Sequence, residues 1–177
     1  MTNLISLIGA PGVGKTYLAE RIAQKEGIFF YDRDLQFDNI FGNDRESDHY
    51  RQWTGILTKS AWQLAMANAR NGDSTILESP MTSCIQGKPA GFIDEALEDA
   101  GKNGYQISLI YCIAPEEVIK KQLMLRGLPR DLPKYDSWDN FFATFINVPG
   151  PNYNHLKIDT TKNQKENLKM VSKFLRR

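Results

Sequence analysis

The sequence of 177 residues has little of what marks several classes of protein. Its two cysteines, Cys84 and Cys112, lack the spacing of metal ligands, so we expect neither a disulfide framework nor a thiolate metal site. No apolar run approaches the length of a membrane span, and we expect no membrane contact. The formal net charge of +1 gives no overall basic field that would attract nucleic acid or an anionic bilayer.

The beginning of the chain also lacks a basic segment ahead of its first apolar run. Because the first predicted strand starts almost at Met1, we expect no signal peptide and a cytoplasmic location. The length suits one domain with a substantial core.

What the sequence does contain is a phosphate-binding pattern over residues 4–16, LISLIGAPGVGKT. An apolar stretch of strand length ends at Gly9, where G-x-x-x-x-G-K-[ST] begins, and a helical segment follows. Such a loop turns backbone N–H groups toward a phosphate at the positive end of a helix. Lys15 then reaches the β- and γ-phosphates, and the Thr16 hydroxyl ligates Mg²⁺. We predict a nucleoside triphosphate held by Gly9, Ala10, Pro11, Gly12, Val13, Gly14, Lys15, Thr16 and Tyr17.

Apolar segments that alternate with helical patterns predict the fold. Strands are expected near residues 4–8, 28–31, 74–77, 107–113 and 156–158. The longest helix is expected over 50–70, with a buried stripe of Trp53, Ile56, Leu57, Ala61, Leu64 and Ala65. Residues 37–49, which include Asn43, read as a loop. Right-handed crossovers then give a three-layer α/β/α fold, with a five-stranded parallel sheet covered by helices on both faces.

Three acids follow predicted strands. Asp32 and Asp34 come after the second strand, and Glu78 ends the third. Ligands of such sheets bind beyond the carboxyl ends of the strands, so these acids should lie beside the phosphate loop. One aspartate can accept a proton from an attacking hydroxyl while the other holds Mg²⁺, and Glu78 is a second candidate for the magnesium. The alternatives are an Asx turn or a helix cap for the aspartates, and a turn cap for Glu78.

Two arginines, Arg126 and Arg130, stand four residues apart at the end of a predicted helix. Arginines in such a segment can close over a triphosphate and neutralise the charge that develops during phosphoryl transfer. The alternative is a solvated helix end. We predict a short lid over residues 126–137 within a single domain over 1–177.

These motifs resemble the small P-loop kinases of the polynucleotide-kinase-like group and the bacterial ATP-binding proteins related to it, over nearly the whole chain. The loop GAPGVGKT is similar to the G-x-P-G-x-G-K form of that group. The resemblance implies ATP and Mg²⁺ as cofactors, with Thr16, Asp32 and Glu78 on the metal side. It also implies that Asp34, in the pair Arg33-Asp34, is the general base, and that Arg126 and Arg130 are catalytic lid arginines.

The acceptor is suggested by one departure from that group. Polynucleotide kinases carry an arginine for the acceptor's phosphate three residues beyond the base, and here that position is Phe37. A small-molecule or nucleoside-like acceptor, uncharged or partly aromatic, is therefore favoured over a nucleic-acid end. Its expected contacts are Asp32, Arg33, Asp34, Phe37, Arg51 and Glu78, with walls from residues 37–50, the long helix and residues 81–88. The D-x-D of Asp32 and Asp34 also resembles that of shikimate kinase.

The predicted function is therefore an ATP-dependent kinase that phosphorylates a hydroxyl. A nucleotide-switched ATP-binding regulatory protein and a polynucleotide 5′-hydroxyl kinase are the alternatives. A GTPase would need D-x-x-G and N-K-x-D motifs, which the sequence does not supply, and an AAA-type motor would need a longer chain with a helical lid domain. ATP consumption that depends on an added acceptor separates a kinase from a switch.

Overall fold

The structure is a computed structural model that describes residues 2–42, 44–45, 47–79 and 81–177. Asn43, part of the predicted loop over 37–49, lies outside the described residues. The strands are β1 (Asn3–Ile8), β2 (Phe29–Asp32), β3 (Thr75–Glu78), β4 (Gln106–Ile113) and β5 (His155–Asp159).

Helices connect successive strands and follow the last one. They are α1 (Lys15–Glu26), α2 (Arg33–Phe41), α3 (Asp48–Arg70), α4 (Thr82–Ile85), α5 (Gly91–Asn103), α6 (Glu116–Arg126), α7 (Leu132–Asp136), α8 (Trp138–Phe141) and α9 (Gln164–Phe174). A 3₁₀ turn over Pro129–Asp131 precedes α7, and a π turn over Phe142–Ile146 follows α8. Among these described helices, none combines the length and the apolar character that crossing a membrane would require.

The five strands form one parallel sheet in the order β2-β3-β1-β4-β5. Alternate residues of a strand point to opposite faces, so in β1 Leu4 packs in one core cluster and Ile5 in the other. The first cluster joins the sheet to α3, α4 and α5, and the second joins it to α1, α6, α8 and α9. The predicted three-layer α/β/α fold is confirmed. The carboxyl ends of β1, β2 and β3 meet at one edge.

Two local predictions were wrong. Residues 37–41 are not a loop, because α2 begins directly after β2, and the Asp32 carboxylate caps it by accepting a hydrogen bond from the Leu35 N–H at 3.0 Å. Helix α3 buries only part of the expected stripe: Ala61 and Ala65 are buried as predicted, whereas Trp53, Ile56 and Leu64 are 41–51% exposed. The buried side of α3 also carries Trp62, Met66 and Ala69, so the face that meets the sheet is rotated from the predicted stripe.

Both cysteines are buried and free. Burial raises the pKa of the Cys84 thiol to about 11 and that of the Cys112 thiol to about 12. Both side chains are therefore neutral and pack as small apolar groups, one in each core cluster.

Candidate active site

The phosphate loop joins β1 to α1 and depends on its glycines. Gly9 has φ 146° and Gly12 has φ 80°, both values that favour glycine. A Cβ at Gly9 would lie 2.4 Å from the Cys112 carbonyl oxygen, and one at Gly12 would lie 2.7 Å from Leu123. The loop is therefore packed against β4 and α6, and no side chain larger than hydrogen fits at either position.

Lys15, the first residue of α1, is buried and turns back over this loop. Its Nζ donates hydrogen bonds to the carbonyls of Gly9 at 3.1 Å and Ala10 at 3.0 Å, and it lies 3.9 Å from Glu78 Oε1. The ammonium group is therefore fixed between the loop and the end of β3. This is the position from which a P-loop lysine reaches bound phosphates.

A cleft of about 420 Å³ opens above the loop. The predicted Pro11, Gly12, Gly14, Thr16 and Tyr17 border it, whereas Ala10 and Val13 lie in the core beneath. The charged side chains of its described lining are six cations and three acids: Lys15, Arg33, Arg45, Arg126, Arg130, Lys134, Asp32, Asp34 and Glu78. This excess of positive charge suits a polyanion such as a triphosphate.

The two aspartates after β2 have different environments. Asp32 uses Oδ1 to cap α2, so the helix-cap alternative is correct, and its side chain still borders the cleft. Asp34 accepts a hydrogen bond from Arg33 Nη2 at 3.0 Å. Burial alone would raise the pKa of the Asp34 carboxyl, but the neighbouring Arg33, Lys15 and Arg130 hold it below its usual value. Asp34 is therefore a carboxylate at neutral pH, able to accept a hydrogen bond from a hydroxyl.

Glu78 differs from Asp34 in its net pKa shift. Burial raises the pKa of the Glu78 carboxyl, Lys15 lowers it and Asp32 raises it further, so that the pKa lies above its usual value. Its Oε2 atom is buried without a hydrogen-bond partner in the described part of the chain. A buried carboxylate oxygen with an unused lone pair, beside the Thr16 hydroxyl, matches the oxygen ligands that Mg²⁺ takes together with phosphates and water.

The described residues contain no group of three or more His, Cys, Asp or Glu side chains arranged to hold a metal ion by themselves. A magnesium ion at Thr16 and Glu78 would therefore be completed by nucleotide oxygens and water. That arrangement is usual for Mg²⁺ in nucleotide sites, because this ion dehydrates reluctantly.

The two lid arginines border the cleft and are held by different acids. Arg126 pairs with Asp131 inside the segment 126–137, with Nε 2.8 Å from Oδ2 and Nη2 2.8 Å from Oδ1. Arg130 donates to Asp38 on α2, and so connects this segment to the helix that carries Asp34. Both arginines thus border the same cleft as the phosphate loop.

Two predicted acceptor residues do not reach the cleft. Phe37 is only 1% exposed and packs under Arg33 and Arg45, whose guanidinium carbons lie 4.7 and 5.6 Å from the ring centre. Arg51 points outward, with its side chain 70% exposed, and pairs with Asp48. Phe37 is buried because α2 forms and places its ring against Tyr50 of α3. Arg51, the next residue of α3, lies on a face of that helix that is exposed to solvent.

Several residues of the site were not singled out from the sequence. Arg45 donates to Asp38 Oδ1 at 2.5 Å and to the Tyr50 hydroxyl at 3.2 Å, and both Arg45 and Tyr50 border the cleft. Lys134 donates to Asp131, and burial lowers the pKa of its ammonium group. The short spacing of Arg126, Asp131 and Lys134 in the sequence could have predicted the ion pairs that Asp131 forms with the other two residues. The contacts of Arg45 depend on α2, which the sequence did not predict.

Comparison with known proteins agrees with this geometry. Over 104 residues the chain is 25% identical to a shikimate kinase from Frankia casuarinae, and the match covers 55% of this chain and 46% of that protein. The chain thus spans about half the length of the curated relative that it matches. A sugar kinase from Janibacter sp. has a similar structure, with a TM-score of 0.68, 21% identity, and coverage of 99% of this chain and 95% of the other.

The APS kinase CysC from Mycobacterium tuberculosis, solved with AMPPNP and APS, has a TM-score of 0.63 at 14% identity, with coverage of 99% of this chain and 98% of that one. At these identities the two structures establish the fold. Fold and loop together define a P-loop protein with the architecture of the small kinases, as the sequence predicted.

A family model described as an AAA domain matches residues 4–145, and the chain belongs to that family. The match runs from β1 through residues 126–137 and into the π turn. That the chain is not an AAA-type motor stays a prediction.

Proposed function

We propose that this protein is an ATP-dependent kinase that transfers the γ-phosphate to a hydroxyl of a small molecule. The observation that carries the proposal is that Lys15, Asp34, Arg126 and Arg130 border one cleft. A site that only binds nucleotide has no need of a carboxylate kept ionised opposite its phosphate loop. The shikimate kinase and the sugar kinase among the comparison proteins support a hydroxylated acceptor by their names.

Each residue has a distinct part in this proposal. The backbone of residues 9–16 and the Lys15 ammonium hold the β- and γ-phosphates. Arg126 and Arg130 stabilise the negative charge that spreads over the γ-phosphoryl oxygens. Such electrostatic stabilisation, together with positioning, is the main contribution that a protein makes to phosphoryl transfer. Asp34 orients the acceptor hydroxyl and takes its proton as the new bond to phosphorus forms and the bond to the β-phosphate oxygen breaks.

The residues present fit Mg²⁺ as the partner of ATP. Thr16 and Glu78 would hold the ion, and Asp32 would contribute through the oxygen that does not cap α2. The ion neutralises negative charge on the β- and γ-phosphates when bound. We also propose that residues 126–137 are the lid of a single kinase domain over 1–177.

Transfer of labelled γ-phosphate from ATP to a panel of sugars, polyols, nucleosides and oligonucleotides tests the proposal. We expect phosphorylation of at least one small hydroxylated compound, and its loss in Asp34→Asn. Acceptor-independent ATP hydrolysis, or binding with no turnover, would instead support a nucleotide-switched regulatory protein. Phosphorylation confined to oligonucleotide 5′ ends would support a polynucleotide kinase.

A further inference from the structure

A second cavity of about 300 Å³ lies beside the cleft, between α3, the segment after β3 and the start of α5. Two parts of the chain, one after β2 and one at the end of β3, contribute to both the cleft and the second cavity. Arg33 lines both cavities next to Asp34, which lines the cleft. Glu78 lines the cleft, and Ser79, the next residue, lines the second cavity. The second cavity thus shares with the cleft the residue Arg33, whose side chain donates to the proposed base Asp34.

The polar atoms of this cavity are mainly hydroxyls. Thr54 and Thr58 supply them from α3, Ser79 from the end of β3, and Thr82 and Ser83 from α4. The Ser79 side chain is 2% exposed, and its Oγ has no hydrogen-bond partner among the described residues. A buried hydroxyl without a partner has a free-energy cost, which a bound polar group can remove.

The opposite wall is apolar. It consists of Met81, Pro89, Ala90 and Phe92, which come from the segment after β3 and the beginning of α5. Met81 has φ 45°, a left-handed conformation that is uncommon for a residue with a side chain. Such strain tends to persist at functional sites, where the surrounding structure holds it in place. The wall suits a ring face or a carbon chain rather than a fully solvated polar group.

The charge of the second cavity is already balanced. Arg33 is the one charged side chain in its described lining. Its Nη2 donates to Asp34 at 3.0 Å, and its Nη1 donates to Thr58 Oγ1 at 3.3 Å, whereas its Nε has no hydrogen-bond partner among the described residues. The positive charge of Arg33 is thus matched by Asp34, and its Nε remains able to donate to a neutral oxygen. An anionic group placed here would be repelled by the Asp34 carboxylate without gaining an unmatched cation, so the cavity disfavours a carboxylate or a phosphate.

We propose that this second cavity is the acceptor site and that the acceptor is an uncharged hydroxylated molecule with an apolar face, such as a cyclic polyol or a nucleoside. The inference rests on the kinase function proposed above and names the class of its second substrate. One hydroxyl of the acceptor reaches past Arg33 to Asp34, and another hydrogen-bonds to Ser79. Phe37 is buried beneath Arg33 and Arg45 and does not contribute to this site.

Filling the cavity from α3 is the first test. Gly55 borders it, and a Cβ there would meet nothing within 4 Å. Gly55→Leu therefore adds an apolar side chain to the lining of the cavity without a clash at its Cβ. Gly101→Leu on α5, where the space is equally open and the residue borders neither cavity, is the matched control. We expect Gly55→Leu to weaken binding of a neutral acceptor about tenfold or more, with ATP affinity unchanged and the control like the wild type.

Removing the unpartnered hydroxyl is the second test. Ser79→Ala should raise the acceptor KM about 2- to 10-fold, the effect of one neutral hydrogen bond, without changing the KM for ATP. Ser6→Ala is the matched control, because Ser6 Oγ is also buried without a partner in the described chain but lies in neither cavity. A merely structural role would affect both serine variants alike and would leave the acceptor KM unchanged.

Pairs of compounds that differ in one charge test the acceptor class. With the nucleotide site saturated by ADP, binding of sorbitol, methyl shikimate and adenosine is compared by NMR with binding of gluconate, shikimate and AMP. We expect the neutral member to bind about tenfold or more tightly in at least one pair, and Gly55→Leu to abolish that binding. Tighter binding of the charged members, no binding by any neutral member, or equal binding in Gly55→Leu and Gly101→Leu would overturn the proposal.

Binding and turnover separate this proposal from the kinase function. If a neutral compound binds in the second cavity but is never phosphorylated, the cavity is a binding site for neutral compounds and the proposed kinase function is wrong. If a charged compound is phosphorylated by an Asp34-dependent reaction that Gly55→Leu does not affect, the kinase function is retained and the cavity assignment fails.

Discussion

Asp131 binds Arg126 through both carboxylate oxygens, each 2.8 Å from a guanidinium nitrogen, and is itself 1% exposed. Lys134 donates to the same carboxylate. The acid thus joins the last residue of α6 to the first turn of α7, and its partner Arg126 borders the nucleotide cleft. We interpret Asp131 as a positioning residue that fixes Arg126 in the lid.

Replacing Asp131 by asparagine should therefore loosen the lid. The change removes the charge that balances Arg126 and Lys134, and we expect a loss of about 1–3 kcal/mol in the free energy of unfolding, below that of a fully buried pair because Arg126 is 35% exposed. Urea denaturation measures this loss, and kcat should fall more than ATP affinity. The control is Asp136→Asn, which changes an exposed residue at the end of α7 and should alter neither quantity.

Arg130 should contribute to turnover rather than to binding of ATP. It borders the same cleft as the phosphate loop while it is paired with Asp38. Because the charge that it opposes develops in the transition state, Arg130→Ala should lower kcat about 100-fold and leave the Kd for ATP nearly unchanged. Arg51→Ala is the control, since Arg51 is exposed away from the cleft. Equal losses of kcat in the two variants would remove Arg130 from the mechanism.

Glu78 should make the nucleotide-free protein less stable as the pH rises. Its folded-state pKa is raised, so the stabilising contribution of this group is fully present below its ordinary pKa and is lost as pH rises through the raised value. Glu78→Gln removes this loss, so the Tm of the variant should equal or exceed the wild-type Tm at neutral pH. The difference between the two Tm values should become smaller as the pH is lowered.

A Tm series from about pH 4 to about pH 8 tests the Glu78 prediction. The control is Glu98→Gln, because the exposed Glu98 has a pKa lowered by its hydrogen bond to Lys102 and the sign of its effect is opposite. A Tm for Glu78→Gln that stays below the wild-type value at neutral pH would show that the carboxylate stabilises the fold.

Much of the fold could be predicted because its signals are local. The phosphate loop is a contiguous pattern, and the apolar segments that became β1 and β4 are long enough to identify by themselves. The edge of the sheet then follows from topology, since parallel strands bring Gly9, Asp32 and Glu78 to the same side. No tertiary contact had to be known for these steps.

The remaining errors concern tertiary contacts. Helix α2 lacks a clear apolar stripe, since Leu35 and Ile40 are exposed, and only the Asp32 cap marks its start. On α3, the apolar periodicity alone does not decide between Leu64, which is exposed, and Trp62, which is buried against the sheet. The bonds from Asp38 to Arg45 and Arg130 join segments that are up to 92 residues apart, so no local pattern shows them.

Lys15 should be required for turnover but not for folding. Lys15→Ala withdraws the ammonium group held by the Gly9 and Ala10 carbonyls, and we expect a loss of about 3–4 kcal/mol of transition-state stabilisation, or roughly 100-fold or more in kcat. Steady-state kinetics with circular dichroism as a folding check measures this. The control is Lys59→Ala, on the exposed side of α3. Full turnover by a folded Lys15→Ala protein would be incompatible with the assigned phosphate loop.

We propose that Asp34 orients and deprotonates an acceptor hydroxyl in the cleft beside the phosphate loop. The rate of γ-phosphate transfer in Asp34→Asn tests this role, measured beside the Kd for ATP and an Asp48→Asn control on the exposed start of α3. We expect transfer to fall about 10²–10⁴-fold, because a positioned acid–base group is removed, with ATP affinity nearly unchanged and the control fully active. Wild-type transfer by Asp34→Asn would show that Asp34 is not the base.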